Sequence, residues 1–572
     1  MKNSRTDIPS ELRATLWGFR REFLVVGLFS FLANVLMLAP TVYMLQVFDR
    51  VLVSQSELTL LAVSLITLVL LGVMALAEWM RSRVLVAAGL RFDARLSTRV
   101  FNASFDAYLN QAGASPSRAF GDLIQIRQFL TGSGIFAFFD APWSPIYIAV
   151  TFFLHPVLGI LAIAFALVQV ALAWFGHHRT VAPSEAAAKA SSDATAYLWG
   201  KLRNAEVLES MGMIGNLRSR WQERQQLWIA RSSHAQGITH RVTAWSKFIR
   251  YSQQSLSLAA GALLVIDNQL SAGAMIAATV LMARALGPID QLVGAWRGLI
   301  GTRAAFGRLD ALLAQYPERD AALSRVAPSG QLSLIDAQAS APGRPEPILK
   351  GINLSLAAGT VTVVLGPSGS GKSTLARVMM GIWPDVRGEV LLDGLPIDGW
   401  NRIELGRHLG YLPQDIELFE GSIAENIGRF GEIEPGKVID AARCAGLHEM
   451  ILRFPKGYDT PIGEAGGLLS AGQRQRIALA RAIYDEPALI VLDEPNANLD
   501  EAGEEALVRT VTELKRKGKT VVLITHRPGA LAVADRLVIL HEGQVHADGA
   551  PGEILRPRQP APVAPIAAAQ PA

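Results

Sequence analysis

The sequence predicts a helical membrane half with six spans, followed by an α/β domain with a P-loop. Three observations predict this fold class. Apolar runs cluster before about residue 300, and they raise the mean hydropathy to +0.27 while only 18% of residues are charged. Strand-like and helix-like patterns alternate after about residue 331. In that second half the strand TVTVVLG runs directly into the glycine-rich loop GPSGSGKST.

Crossing a hydrocarbon layer of about 30 Å takes roughly 20 apolar residues in a helix. Three pairs of segments meet this length, at residues 23–45 and 58–77, 135–154 and 156–175, and 248–266 and 274–293. A tight turn is expected at His155, and Gly287 and Pro288 are expected to interrupt the sixth segment. A buried core helix is the alternative interpretation for each segment, above all for the more polar last pair.

The distribution of basic residues predicts the orientation in the membrane. Lys and Arg crowd the N-terminus and the stretches 81–127 and 179–247, whereas the turns between spans carry only Arg50 or none. The positive-inside tendency then places the N-terminus, both long helix-rich connections and the soluble half on the cytoplasmic side of the membrane. The net charge of +4 is therefore no sign of nucleic-acid binding, and the lone Cys444 excludes an internal disulfide.

Five regions follow from these patterns. Residues 1–22 form a cytoplasmic N-terminal segment, 23–295 the membrane domain in contact with lipid, and 296–330 a connector that contains the amphipathic helix RAAFGRLDALLAQY. Residues 331–555 form the α/β domain. The Pro- and Ala-rich residues 556–572 are expected to be disordered.

The glycine-rich loop lies between a strand and a helix, the arrangement in which backbone amides and a helix N-terminus bind phosphate. Lys372 supplies a positive charge for the β- and γ-phosphates, and Ser373 can ligate Mg²⁺. The predicted phosphate-binding residues are Gly366, Pro367, Ser368, Gly369, Ser370, Gly371, Lys372, Ser373 and Thr374. The sequence therefore predicts ATP and Mg²⁺ as cofactors.

A second apolar strand, ALIVLDEP, ends in two acids. Asp493 is predicted to hold the Mg²⁺ shell and Glu494 to polarise the attacking water, since phosphoryl transfer depends on positioning and charge neutralisation. His526 follows the strand TVVLITH and is predicted to contact the γ-phosphate. An exposed acidic strand end and a purely structural histidine are the alternatives.

Between these motifs lie YLPQD, with Gln414, and LLSAGQRQR. The ordered set resembles the nucleotide-binding domain of an ABC transporter, with Walker A, Q-loop, signature, Walker B, D-loop and H-loop in sequence. The resemblance implies that Gln414 senses the γ-phosphate and Mg²⁺, and that Asp500 lies at a dimer seam. It also implies that the nucleotide of the opposite subunit is capped by Ser470, Gly472 and Gln473. One such domain per chain then implies a half-transporter that works as a homodimer.

The membrane half contributes a second resemblance. The stretches YMLQVFDRVL, FFDAPWSPIYIAV and NAEVLESMGM are similar to the ATPase/permease of bacterial type I protein secretion systems, in the protease- and lipase-exporting (PrtD-like) branch. PIGEAGG, with Glu464, resembles the loop by which exporters touch their membrane domain. The resemblance implies export of unfolded proteins with uncleaved C-terminal signals, through a periplasmic membrane-fusion adaptor and an outer-membrane channel protein.

Three alternatives remain at this point. A homodimeric exporter of lipids or amphipathic small molecules shares the architecture. A soluble ABC ATPase of repair or translation would lack the six spans. A non-hydrolysing scaffold is opposed by the intact Lys372, Asp493, Glu494 and His526.

Two features depart from the ABC pattern, and one acid stands out. Ala471 replaces the usual signature glycine, and Ser340, Ala341 and Pro342 stand where an aromatic commonly stacks on adenine, so weaker adenine stacking is expected. Asp140 lies within a predicted span. It is either a residue of the transport pathway or the partner of an arginine.

Overall fold

The structure is a computed structural model that describes residues 10–110, 116–202, 204–318, 327–341, 346–463 and 469–555. Pro342, Glu464 and the tail 556–572 lie outside these ranges, so the expectations for them stay predictions. The chain divides into two compact units: residues 1–105 with 115–317, and residues 106–114 with 318–572.

The first unit is helical. Its helices are α1 (Glu11–Gly18), α2 (Arg20–Leu36), α3 (Ala39–Gln46), α4 (Leu52–Ser54), α5 (Glu57–Asn110), α6 (Pro116–Thr131), α7 (Ser133–Asp140), α8 (Ser144–Leu154), α9 (Pro156–Leu202), α10 (Ala205–Ser210), α11 (Ile214–Ile266) and α12 (Ala272–Gln315). The longest, α5, has 54 residues. At about 1.5 Å per residue it is about 80 Å long, far more than a bilayer core needs. The prediction that both long connections are helix-rich is confirmed, because α5, α6, α9 and α11 contain most of their described residues.

Within the described ranges, five helical segments are long and apolar enough to cross a membrane. They are Arg20–Ser54, Glu57–Asn110, Gly134–Leu154, Pro156–Leu202 and Ala272–Trp296. Five of the six predicted spans lie in these segments. The other predicted span, 248–266, is helical as part of α11, but Arg250, Gln253 and Gln254 make it more polar than the rest.

The turn expected at His155 is confirmed, because this residue is extended between α8 and α9. The expected interruption at Gly287 and Pro288 is wrong. α12 continues through both residues. A proline removes one backbone donor and disfavours a helix interior, but packing of the flanking turns can maintain the helix. Here one face of the preceding turn is buried, with Leu281, Met282 and Ala285 each 1% exposed.

Asp140 has an arginine partner, as one of the two alternatives proposed. Arg81 Nη1 lies 2.8 Å from Asp140 Oδ1 and 3.1 Å from Ser30 Oγ. Asn34 Nδ2 donates to the same carboxylate oxygen at 2.9 Å, and Tyr147 donates its hydroxyl to the Asn34 carbonyl at 2.8 Å. This buried network joins α2, α5, α7 and α8, and such polar contacts substitute for the hydrophobic driving force that lipid does not supply.

The second unit is α/β. Its strands are β1 (Leu332–Ser340), β2 (Pro347–Leu356), β3 (Val361–Leu365), β4 (Val386–Leu392), β5 (Leu395–Pro396), β6 (Leu409–Leu412), β7 (Gly421–Ser422), β8 (Pro461–Ile462), β9 (Leu489–Asp493), β10 (Thr520–Ile524), β11 (Arg536–His541) and β12 (Gln544–Gly549). A six-stranded sheet has the order β12-β11-β3-β10-β9-β6, and only β12 pairs antiparallel in it. A four-stranded antiparallel sheet has the order β2-β1-β4-β5, and β7 pairs with β8.

Helices pack around these sheets. They are α13 (Lys372–Met379), α14 (Arg402–His408), α15 (Ile423–Ile427), α16 (Pro435–Cys444), α17 (His448–Leu452), α18 (Ala471–Ile483), α19 (Glu501–Arg516) and α20 (Pro551–Ile554). The central strands read VTVVL, LIVLD and TVVLI, and β9 and β10 are buried throughout. Such continuous apolar runs are typical of parallel strands covered on both faces. The predicted α/β domain is confirmed.

The Arg81–Asp140 pair supports a stability prediction. Arg81→Met leaves the Asp140 carboxylate buried without its cation, so we expect a loss of about 3–5 kcal/mol in unfolding free energy. The double variant Arg81→Met/Asp140→Leu should recover most of it, because no unpaired charge remains. Thermal unfolding of the detergent-solubilised protein measures both. The exposed Arg83 serves as control, and an equal loss for Arg83→Met would contradict the expectation.

Candidate nucleotide site

The glycine-rich loop connects β3 to α13. Gly371 has φ +99°, a left-handed conformation, and it immediately precedes the first helical residue, Lys372. At Gly366 a Cβ atom would lie 2.2 Å from the Leu540 carbonyl oxygen, so only glycine fits. The loop also contacts the β11–β12 turn, where Gly543 N donates to Ser370 O at 3.1 Å. The predicted strand-loop-helix context is confirmed, and it points backbone amides and a helix N-terminus at one position.

Lys372 lies across this loop. Its ammonium donates to the carbonyls of Gly366 and Pro367, each at 2.9 Å. Burial lowers the pKa of Lys372, and the carboxylates of Glu494 and Asp493 act in the opposite direction. The amine is thus held across the loop by two backbone carbonyls.

Asp493 is the last residue of β9 and is 2% exposed. Its Oδ1 has no hydrogen-bond partner within the part of the chain that the structure describes. Burial raises the pKa of this carboxyl, and the Ser373 hydroxyl partly opposes that effect. A buried, unpaired carboxylate oxygen beside a hydroxyl is a donor set that suits Mg²⁺, which prefers oxygen ligands.

Four predicted residues form a continuous chain of polar contacts beside Asp493. Ser373 Oγ lies 3.5 Å from Gln414 Oε1, and Gln414 Nε2 donates to Glu494 Oε2 at 3.2 Å. The other carboxylate oxygen, Glu494 Oε1, lies 3.3 Å from His526 Nε2. Motifs that are up to 153 positions apart, from Ser373 to His526, therefore meet at one place.

The backbone of Glu494 is in the left-handed region, with φ +50°. This conformation is uncommon for a residue with a side chain, and such strain persists only where neighbours hold it. Its N–H donates to Ile524 O at 2.8 Å, and its carbonyl accepts from Gln475 Nε2 at 3.1 Å. The direction of the Glu494 carboxylate is therefore set by β10 and α18.

The predicted signature residues lie at the start of α18 and bond to one another. Ser470 caps this helix by accepting from Gln473 N at 3.2 Å, while Gln473 Oε1 accepts from Ser470 N at 2.9 Å. Gly472 lies against Asn498, because a Cβ atom added at Gly472 would be 2.9 Å from the Asn498 carbonyl oxygen. Asp500 caps α19 by accepting from Gly503 N at 2.9 Å. Among the described contacts, no hydrogen bond joins Ser470, Gln473 or Asp500 to Lys372 or Glu494.

Comparison with known proteins agrees with this geometry. Residues 349–497 match the ABC transporter family, and residues 23–289 match the ABC transporter transmembrane region. The chain is 41% identical to the type I secretion system ATP-binding protein PrsD of Rhizobium meliloti (strain 1021), over 96% of this chain and 95% of PrsD. The chain belongs to the ABC transporters of type I secretion systems. The transporter therefore combines a multi-pass membrane domain with an ATP-binding domain that couples hydrolysis to transport.

Two further relatives fit the same family. The leukotoxin translocation ATP-binding protein LktB of Mannheimia haemolytica is 27% identical over 94% of this chain and 77% of LktB. A solved bacterial Atm1-family ABC exporter with ATP bound has a TM-score of 0.82 at 22% identity, covering 94% of this chain and 96% of that one. The second likeness shows the fold. The predicted fold class, a six-span exporter domain plus a nucleotide-binding domain in a half-transporter, is confirmed.

Sequence reasoning missed Gln475 and Asn496. Gln475 is 2% exposed and bridges two segments of the transporter, because its amide donates to Glu494 O and accepts from Asn498 N at 3.0 Å. Asn496 accepts from the buried Thr525 hydroxyl at 3.1 Å, one residue before His526. Both lie beside recognised motifs, in LLSAGQRQR and after VLDEP, but only the fold indicates what they contact.

The raised pKa of Asp493 predicts a pH-dependent stability. Above that pKa the buried carboxylate is ionised and disfavours the native state, so the stability of the nucleotide-free transporter falls as pH rises through the interval between the ordinary and raised values. At neutral pH, Asp493→Asn should therefore raise the Tm of this form, and added Mg²⁺ and ATP should no longer raise it further. Calorimetric scans of both proteins test this, and a lower Tm for the variant would contradict it.

Gln475 predicts a separate effect on turnover. Gln475→Leu removes the donor to Glu494 O and the acceptor for Asn498 N, so kcat should fall about tenfold through lost positioning of Glu494, while KM for ATP changes little. Steady-state ATPase kinetics of the purified transporter measure this split. Gln475→Glu keeps only the acceptor for Asn498 N, so its kcat should lie between those of Gln475→Leu and the unmodified transporter. An unchanged kcat in Gln475→Leu would show that the bridge does not orient the carboxylate.

Proposed function

We propose that the transporter exports unfolded proteins with C-terminal secretion signals across the bacterial inner membrane, driven by ATP. The observation that carries this proposal is the full-length identity of 41% to a type I secretion ATP-binding protein. The name of LktB, a leukotoxin translocation protein, describes a protein cargo as well. The likeness to the Atm1-family exporter concerns the fold and does not extend to cargo.

The hydrolytic mechanism follows from the contacts of Glu494. This carboxylate accepts a hydrogen bond from Gln414 and faces His526. In the proposed roles, Glu494 orients and polarises the attacking water, His526 contacts the γ-phosphate and Gln414 reports its presence. Lys372 and the amides of Gly366–Gly371 bind the phosphates. These roles need positioning and charge, which is what phosphoryl transfer requires of a protein.

Mg²⁺ fits the oxygen donors of this site. Ser373, Gln414 and Asp493 would hold the ion, and Asp493 Oδ1 is a buried oxygen without a hydrogen bond in the described part of the chain. When bound, the ion would neutralise charge on the β- and γ-phosphates. Burying the Asp493 carboxylate without a counter-charge costs free energy, so a bound cation would also stabilise the folded site.

The proposed assembly is a homodimer. Within one chain, Ser470 and Gln473 bond to each other and have no described hydrogen bond to Lys372 or Glu494. Capping of the nucleotide by Ser470, Gly472 and Gln473 of a second subunit, with Asp500 at the seam, would complete two equal sites related by two-fold symmetry. A periplasmic membrane-fusion adaptor and an outer-membrane channel protein would continue the export path, and the secreted protein is the substrate.

Glu494→Gln tests this function. The variant should bind ATP but lose hydrolysis by roughly 100-fold or more, because the polarising carboxylate is gone. Proteomics of culture medium from cells with adaptor and channel should then show a loss of secreted proteins that keep intact C-termini. Glu505→Gln is the matched control, since Glu505 is an exposed residue of α19 with 68% side-chain exposure. If the culture medium contained the same secreted proteins for Glu494→Gln as for the unmodified transporter, that result would contradict protein export.

A further inference from the structure

The C-terminal end of α12 is the last helical part of the first unit before the chain continues into the ATP-binding domain. α12 ends at Gln315, and Pro317 is the final residue of that unit. The last carbonyls of any helix lack intrahelical partners and attract cations. No basic residue lies in the last turn of α12. This end therefore depends on a donor from elsewhere.

Arg99 of α5 supplies that donor. Its Nη2 donates to Leu313 O at 3.1 Å and also to Tyr316 O. Its Nε donates to the carboxylate of Glu11, in the first turn of α1, at 3.2 Å. A single guanidinium thus joins the start of α1, the C-terminal part of α5 and the end of α12.

The surroundings of Arg99 are apolar and closed. Its side chain is 7% exposed. The same three helices contribute to a buried apolar cluster, whose members include Leu12, Phe92, Leu96, Val100, Leu309 and Leu313, each at most 3% exposed. In such a low-dielectric setting charge-assisted hydrogen bonds are strong, and the planar arginine fork fixes their directions.

A second ion pair holds α12 about two turns before its end. Arg308 of α12 makes a two-point contact with Asp122 of α6, with Nε at 2.9 Å from Oδ2 and Nη2 at 2.5 Å from Oδ1. The end of α12 is therefore fixed to α1, α5 and α6 through both polar and apolar contacts. A helix end held in this way moves with its neighbours and does not fray.

We propose that Arg99 is a positioning residue for transport: it clasps the end of α12 to α1 and α5, so that ATP-driven movement reaches the membrane helices. The proposal rests on the proposed function, because it assumes that ATP moves the membrane domain. Without the clasp, the last turn of α12 would absorb the movement. ATP hydrolysis would then continue while the membrane helices respond less.

The test measures nucleotide-dependent exposure on the far side of the membrane. In a Cys444→Ser background, which removes the sole cysteine, Val53→Cys provides a probe in α4, where Val53 is 79% exposed. The transporter is placed in lipid nanodiscs, and the rate of labelling by a polar maleimide is compared without nucleotide and with ATP, Mg²⁺ and vanadate. ATPase kinetics and Tm are recorded for each variant.

We expect Arg99→Met to keep KM for ATP while the nucleotide-dependent change in labelling is lost. Arg99→Lys can still donate to carbonyls and should keep part of the nucleotide-dependent change in labelling. Glu11→Gln should make that change smaller. The control is Arg91→Met on the same helix, because Arg91 pairs with Glu22 at 3.1 Å but is 57% exposed. This control should behave as the unmodified protein does.

Each other outcome counts against the proposal. A full labelling response in Arg99→Met overturns it. If Arg99→Met does not fold, Glu11→Gln decides, and an unchanged response there overturns it too. An equal loss in Arg91→Met would show a general effect of removing charge from α5. If the protein with native Arg99 shows no nucleotide response at all, ATP-driven movement itself fails, and with it the proposed function.

Discussion

Parallel pairing of β3, β9 and β10 is the constraint on which the nucleotide site depends. Their registers place Val364 opposite Ile524, and Ile524 opposite Asp493. Because the carboxyl ends of parallel strands share one edge, the loop after β3, the acids after β9 and the histidine after β10 emerge together. No single motif forms the site. The ladder of backbone hydrogen bonds between buried apolar strands brings the three ends to one place.

This constraint also explains why the site tolerates unfavourable local states. Glu494 adopts a left-handed backbone, and Asp493 is buried with an unpaired carboxylate oxygen in the described structure. Both states cost free energy. The Glu494 backbone is held by hydrogen bonds to Ile524 and Gln475, and Asp493 is held by the pairing of β9 with β10. A rigid sheet edge maintains charged groups in positions that a flexible loop would lose. Preorganised charge of this kind is suited to stabilising a phosphoryl-transfer transition state.

In the helical unit, paired charges have the corresponding role. The Arg81–Asp140 pair, the Arg308–Asp122 pair and the Arg99 contacts each join helices far apart in sequence. Lipid tails give apolar helices little reason to prefer one another, so within the membrane a polar contact such as Arg81–Asp140 helps to determine which faces meet. Arg99 differs from the others because two of its acceptors are backbone carbonyls at a helix end. Arg99 therefore determines which part of α12 lies beside α5, in addition to bringing the two helices together.

Some elements were predictable and others were not, for identifiable reasons. The spans at 23–45, 58–77, 135–154 and 156–175 follow from length and apolar composition alone. The interruption expected at Pro288 did not occur, because local propensity is weaker than the packing of the buried face on the preceding turn. For Asp140 the sequence left two alternatives open, since a carboxylate within a span needs a partner but its spacing does not identify one. Only the packing of α5 against α7 identified Arg81.

The sequence by itself determined the two-part architecture and the identity of the phosphate, acid and histidine motifs, because hydropathy and the order of motifs are local properties of a chain. The tertiary structure decided which side chains meet: the Ser373–Gln414–Glu494–His526 chain, the bridge of Gln475 and the Arg99 contacts. These contacts join positions separated by 19 to 217 residues. Distances in space between such positions depend on strand register and helix packing, which are set by the whole chain at once.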